Sequence, residues 1–262
     1  MFNSKCCICG LVKNCAPYLE AVFDNIQTIA SLFTEYHIIF AYDKSFDNSL
    51  SILRDFVKKD SNITIHIETE DAAPYRVYNI ARARNHCLRI IRNKWSHYEY
   101  FIIIDCDDVC SGKIYSDVLK YYMTQNTEWD ALSFAKMPYY DTWALSKYPY
   151  VFSNMHFANY NNVATFIEDI IKNTPKGTLI PCLSAFNGFA IYRTNKFIKY
   201  FYDHRPRLDL IPSHLIKNQI NICGPMYFNG KAKMIDCEHR SFHLMAVNDG
   251  ARIRIAPEIL FI

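Results

Sequence analysis

The stretch YFIIIDCDDVC, residues 100–110, decides how the rest of the chain is read. Five apolar or aromatic residues, Tyr100 to Ile104, form the most strand-like run in the sequence, and it stops directly on carboxylates at Asp105, Asp107 and Asp108. An unbroken apolar run of this length predicts a strand buried on both faces, as in a parallel sheet. Open α/β sheets bind ligands outside the carboxyl ends of their strands, so the placement of Asp105 is as informative as its identity. In extended backbone Asp105 and Asp107 point to one side and Asp108 to the other, a relation that a turn would change. Carboxylates crowded at such a point repel one another and lose hydration. A divalent cation supplies the compensating charge, and Mn²⁺ or Mg²⁺ suits hard carboxylate and phosphate oxygens. The bland alternative is a polar turn in which Asp108 caps exposed amides. The apolar run before the cluster and the lack of a nearby lysine favour the ion site.

Upstream of this strand the pattern alternates. CCICGLVKN, residues 6–14, reads as a buried strand that opens into a loop at Lys13 and Asn14, and Pro17 starts a helical pattern through Leu19, Val22, Ile26 and Ile29. HIIFAYD, residues 37–43, is a second strand with a polar end at Asp43; a helix follows from near Ser49, then a strand at ITIHIE, residues 63–68. Residues 79–93 return to helical spacing. This β-α-β-α-β beginning predicts an α/β fold with a mostly parallel central sheet between two helical layers. Downstream the sequence predicts a helix near Ser116 to Met123, a strand through DALSFAKMPYY, a short helix around Ala164 to Ile171, an apolar stretch from Leu179 to Tyr192 broken at Asn187 and Gly188, and a polar C-terminal segment. No repeat or linker divides the chain. It is expected to be a single domain over residues 1–262, with a nucleotide-binding half to residue 110 and a less regular acceptor-binding half after it.

Composition narrows the function classes. Hydrophobic residues make up 50% of the 262 and charged residues 21%, which predicts a folded globule with a sizeable core. A formal charge of +3, from 29 basic and 26 acidic residues, is too weak for non-specific nucleic-acid binding and fits a small anionic ligand better than a polymer. The 10 cysteines lack zinc-ribbon spacing and sit in apolar settings, as reduced thiols do, which predicts a cytoplasmic compartment, that of a host cell if the protein is viral. No signal peptide and no run of roughly 20 apolar residues is evident.

With these elements in place, the chain resembles the nucleotide-sugar glycosyltransferases of the GT-A fold, in particular capsule-associated mannosyltransferase-like proteins and related viral or microbial enzymes. DCDD after FIII matches that family's DxD region. LVKN, which contains Val12, and AYDKSFDNS resemble its nucleotide-binding start; YNIARARNHCL resembles the arginine and asparagine helix before the DxD; YYDTWAL, NGFAIYR and CEHRSFHL resemble later elements. The resemblance implies that Asp105 contacts the donor ribose or a metal water, that Asp107 holds a metal bridging the donor diphosphate, with Asp108 a substitute for either, and that a C-terminal histidine, His243 before His239, completes the metal shell. It also implies that Arg84 and Asn85 serve the donor.

Other residues are weighed by their chemistry. Asp43 ends a strand and can accept hydrogen bonds from a base or ribose, or simply form an Asx turn. Arg76, Arg82 and Arg84 are candidates for diphosphate oxygens, although Arg82 and Arg84 are two apart and face different ways on a helix. Tyr140, Asp141 and Trp143 form a polar-aromatic group suited to an acceptor sugar. Asn187 and Gly188 mark a turn or a close approach of backbone to the donor. One of Asp236, Glu238 and Asp141 is expected to act as the base for inverting transfer. HRSFH lacks the glutamate of a zincin, which excludes that class. A nucleotidyltransferase and a non-catalytic carbohydrate-binding protein are the competing readings.

Overall fold

The computed structural model describes residues 2–125, 127–159, 163–228 and 235–262. In chain order the strands are β1 (Phe2–Val12), β2 (Phe33–Tyr42), β3 (Ile63–Ile67), β4 (Tyr100–Asp105), β5 (Ala131–Ala135), β6 (Ile180–Cys182), β7 (Phe189–Arg193) and β8 (Ile253–Ile259). The helices are α1 (Leu19–Ala30), α2 (Ser49–Lys59), α3 (Arg76–Ile90), α4 (Ser116–Thr124), α5 (Val163–Asn173), α6 (Thr194–Phe197), α7 (Ser213–Cys223) and α8 (Glu238–Asn248). All strands join one sheet in the order β3-β2-β1-β4-β7-β5-β8-β6. β3, β2, β1 and β4 run parallel, as the alternating sequence predicts. β7 enters antiparallel between β4 and β5, and β6 is antiparallel to β8, so the second half of the sheet is mixed.

The parallel strands alternate their side chains between two cores. Cys6, Ile8, Ile38, Phe40, Ile102 and Ile104 face the layer of α1, α2 and α4. Cys7, Cys9, Ile39, Ala41, Phe101 and Ile103 face the layer containing α3 and α8. The result is the three-layer α/β architecture. Strand residues buried on both faces explain why these strands read as continuous apolar runs.

The C-terminal segment departs from expectation. The stretch after His243, expected to be polar, forms the end of α8 and then β8, with Ile253, Ile255 and Ala256 buried. Before it, α8 buries Glu238 through Leu244 almost entirely, although that run carries five polar or charged side chains. Such a helix is tolerated only when its polar groups find partners inside, and the partners are what bring the distant ends of the chain together below. Among the described residues, no helix is long and apolar enough to cross a membrane.

Candidate active site

Strand polarity places the site. Val12 pairs with Tyr42 and Leu11 with Asp105, so the carboxyl ends of β1, β2 and β4 share one edge of the sheet. The Asp43 amide donates to the Val12 carbonyl (2.9 Å), and Lys13 Nζ reaches Asp43 Oδ2 at 2.6 Å. Because β7 is antiparallel, its start meets the end of β4, where the Asp105 amide donates to the Gly188 carbonyl at 2.8 Å. Gly188 is required there. Its φ is +88°, and a Cβ would lie 2.4 Å from Val109 Cγ1. Asn187, at φ 60°, donates from Nδ2 to the Phe134 carbonyl (3.0 Å) and accepts the Tyr140 and Asp141 amides on Oδ1 (3.2 and 3.1 Å). This one side chain therefore ties β5, β7 and the Tyr140–Asp141 turn to the acidic edge.

Arg84 lies at the centre of the charge arrangement. It projects from α3 into a buried position where one guanidinium nitrogen contacts both Glu238 Oε1 and His239 Nε2 and another lies 3.3 Å from Asp105 Oδ1. The guanidinium also packs 4.8 Å from the Phe186 ring centroid. Burial works against its charge, but Glu238 and Asp105 outweigh burial and keep it protonated. Burial pushes the Asp105 carboxyl up to about 7; Arg84 opposes this, while Asp107, Asp141 and Glu238 add to it. Asp107 is raised by burial and by neighbouring Asp108, with the Val109 amide and Arg76 acting against them. Asp141 is raised mainly by burial, and its Oδ1 accepts the Ala144 amide at 3.0 Å.

Burial is the first cause of each of these shifts and neighbouring carboxylates add to it at Asp105 and Asp107, so this edge, once its carboxylates ionise, calls for a compensating cation. Its donor atoms are carboxylate oxygens, so Asp105 and Asp107 fit a hard divalent cation. Asp107 accepts the Val109 amide on Oδ1 (3.1 Å), which leaves Oδ2 for such an ion.

The Asp105 shift carries a stability consequence with a definite sign. Between about pH 4 and pH 7 the native state keeps a proton that the unfolded state has lost, so this group costs stability increasingly as pH rises through that window. Asp105→Asn is expected to be more stable than the parent at pH 8, with the gain vanishing near pH 4. Denaturant unfolding across that range checks it; equal or lower stability of the variant at pH 8 would contradict the assignment.

Packing brings some of the expected site residues to the acidic edge and engages others elsewhere. His243 is fully buried with Nδ1 3.0 Å from Ser184 Oγ and Nε2 3.0 Å from the Tyr192 hydroxyl, so both ring nitrogens are engaged inside the core and neither is free to complete a metal shell. Burial, with Arg84 and Arg240, pushes it down to about 3. Asn85 spends its amide on the backbone of Tyr202 (2.9 and 2.8 Å) instead of facing a donor. Asp236 is held by Arg240 Nε at 2.9 Å in a dry position, and Glu238 is held by Arg84, so neither is placed as a free base. Asp141 is half-buried, and among the described residues it forms no salt bridge; it keeps the role of base candidate. Arg82 turns away to Glu68 and Glu70 (2.9 and 3.0 Å). Arg76 is exposed at the start of α3 and bears electrostatically on Asp107.

The sequence pointed to an acceptor-binding role at Trp143 but gave no metal role to His66, Glu68 or His86. Beyond Asp141, Trp143, Leu145, Tyr150 and Phe152 line a cavity of about 340 Å³. Among the described residues, the group of three metal-type donors with all ligand atoms within 4.8 Å of one another is His66, Glu68 and His86, at the carboxyl end of the outer strand β3 and on α3. The spacing His66-x-Glu68 on a strand was the available signal, because residues two apart share a face.

The fold agrees with comparison to known proteins. Crystal structures of S. aureus TarS superpose over 98% of this chain: the longer one at 14% identity and a TM-score of 0.50, covering 36% of TarS, and residues 1–349 at 17% identity and a TM-score of 0.48, covering 59% of that chain. A mannosyltransferase, PcManGT from Pyrobaculum calidifontis in complex with GDP-Man and Mn²⁺, aligns at 14% identity with a TM-score of 0.44, over 98% of this chain and 57% of that one. The chain thus spans less than two thirds of these proteins, and at such identity the likeness speaks to fold alone. No curated protein sequence matches it. The profile of glycosyl transferase family 2 matches residues 7–201, most of the chain, including β2, β3, β4 and the acidic edge. The chain belongs to glycosyl transferase family 2.

Proposed function

We propose that the chain is a metal-dependent hexosyltransferase that moves a sugar from a UDP- or GDP-sugar to a hydroxyl of a glycan or glycoprotein. The observation that carries this reading is the gathering of carboxylates at Asp105, where Arg84 lies 3.3 Å away and Asp107 and Asp141 bear electrostatically on it, at the carboxyl edge of the parallel strands that also ends in Asp43. Mn²⁺ or Mg²⁺, when bound there with the donor, offsets charge gathering on the departing diphosphate. Val12 and the Lys13-anchored Asp43 receive the nucleoside. Asp105 and Asp107 hold the ion, and Arg76 offers its guanidinium to diphosphate oxygens. The backbone at Asn187 and Gly188 borders the donor sugar. Asp141 takes the proton of the acceptor hydroxyl as that oxygen bonds to the anomeric carbon and the bond to the diphosphate breaks, so the transfer inverts configuration. Burial raises this carboxyl toward the range in which a base works best. The cavity beside Trp143 accommodates the acceptor. All ten cysteines are buried and free, which supports a reducing, cytoplasmic compartment.

Calorimetric titration with UDP-, GDP- and CMP-sugars, GDP-mannose among them, with and without Mn²⁺, tests the proposal. One donor is expected to bind only with the metal. Tighter binding of a nucleoside triphosphate would favour nucleotidyl transfer, and glycan binding indifferent to metal and nucleotide would favour a carbohydrate-binding protein.

A further inference from the structure

The sheet edge opposite the mixed half carries chemistry that sugar transfer does not use. β3 is the outermost strand, and α3 packs across its end. His66 lies on β3 and Glu68 just past it, where the Glu68 amide extends the ladder by donating to the Tyr42 carbonyl (2.9 Å). His86 comes from α3, and its ring stacks on that of His66 with centroids 4.2 Å apart. His86 Nε2 lies 3.6 Å from Glu68 Oε2, and one ligand atom from each of the three residues falls within 4.8 Å of the others. Ligands at the ~2.1 Å typical of zinc stand roughly 3.4 Å from one another in a tetrahedron. One edge of the cluster is already at that length, and the rest close by side-chain rotation.

Two further observations point to an ion. His66 Nε2 is buried without any hydrogen-bond partner. Leaving such an atom unpaired costs about 1–3 kcal/mol, and coordination would remove that cost. Glu68 is oriented as ligating carboxylates are: Oε1 accepts the amides of Thr69 and Glu70 (2.9 Å each), which turns Oε2 toward His86. Arg82 Nε also reaches Oε2 at 2.9 Å, but Arg82 is shared with Glu70 Oε2 (3.0 Å) and the Asp71 carbonyl (3.3 Å). A carboxylate oxygen has two lone pairs, so Oε2 can face the ion and Arg82 together.

We propose that His66, Glu68 and His86 form a second metal site, for a zinc-type ion, which clamps edge strand β3 to α3. Two imidazoles and one carboxylate select zinc and its late-transition neighbours over Mg²⁺ or Ca²⁺. Three protein ligands leave the fourth position to water. The clamp ties Glu68, where the 68–75 segment leaves β3, to His86 in α3, the helix that the segment leads into at Arg76. This site does not depend on the donor chemistry proposed above.

The full chain, stripped with chelator, is titrated with Zn²⁺ by calorimetry and with Co²⁺ by visible absorption, alongside His86→Ala, Glu68→Gln and Asp107→Ala. With Mg²⁺ in excess to fill the oxygen site at the acidic edge, the parent and Asp107→Ala are both expected to take up one Zn²⁺, to show the absorption of imidazole-bound Co²⁺, and to gain about 5 °C in thermal midpoint at saturation. His86→Ala and Glu68→Gln, each checked by circular dichroism to be folded, should bind Zn²⁺ at least about tenfold more weakly. Glu68→Gln keeps the size of the side chain and serves if His86→Ala fails to fold. No Zn²⁺ uptake by the folded parent, or uptake unchanged in both folded variants, overturns the proposal. Uptake lost only in Asp107→Ala does so too, because it puts the ion at the acidic edge.

Discussion

Asp107→Ala lowers metal-dependent turnover by about 10³-fold or more while the protein stays folded. The expected split follows from what Asp107 touches. Among the described residues, its side chain makes one hydrogen bond, from the Val109 amide at 3.1 Å, as the cap of the short turn over Asp108–Cys110. Losing that cap costs only about 1 kcal/mol. The catalytic cost is larger because the remaining carboxylate there, Asp105, sits near half-protonation at neutral pH and is partly answered by Arg84. On the proposed role, losing Asp107 removes one of the two carboxylates that hold the ion. Asp107→Asn, the same size with one oxygen and no charge, should fall nearly as far, which separates charge from shape. Steady-state kinetics over a Mn²⁺ series, with circular dichroism and donor calorimetry on the same samples, make the measurement. Collapse of secondary structure, or full activity with unchanged metal dependence, would refute the role.

Arg84→Met has the largest expected effect on stability, a loss of about 3–5 kcal/mol and a fall in thermal midpoint on the order of 10 °C. The guanidinium is 5% exposed and answers Glu238, itself 6% exposed, as well as Asp105. Removing it leaves one buried carboxylate unpaired and a second pushed further from ionisation. The net worth of such a pair is small, since taking both charges out of water is expensive; the penalty comes from breaking it. Arg84→Met combined with Glu238→Leu should therefore recover most of the loss, a coupling that packing alone would not produce. Arg84→Lys should not recover it, because an ammonium cannot reach Glu238, His239 and Asp105 from one planar fork. Chemical unfolding of the three variants decides the matter. Additive losses in the double variant would mean that Arg84 acts through its packing on Phe186 and Tyr202 instead.

These two residues mark where reading along the chain succeeds and where it stops. The strands β1 to β4, the helices between them and the acidic strand end at Asp105 and Asp107 were legible in the sequence, because burial on both faces writes an apolar run and a strand end is a local event. The site edge followed from the parallel order of those strands. The partner of each polar side chain did not. Arg84 and Glu238 stand 154 residues apart, and nothing local told Arg84, which turns inward, from Arg82, which turns to Glu68. The histidines of α8 looked like metal ligands because histidine next to acid is ambiguous in one dimension. Only the antiparallel entry of β7, which brings Tyr192 against His243, and the position of Ser184 showed that its nitrogens are spent in the core. The sequence by itself determined the parallel half of the fold and the acidic edge, since hydrophobic periodicity acts over a few residues. Tertiary structure alone decided which charges pair, which carboxylate stays open and where His66, Glu68 and His86 meet, since desolvation and Coulomb energy depend on neighbours that the chain supplies from far away.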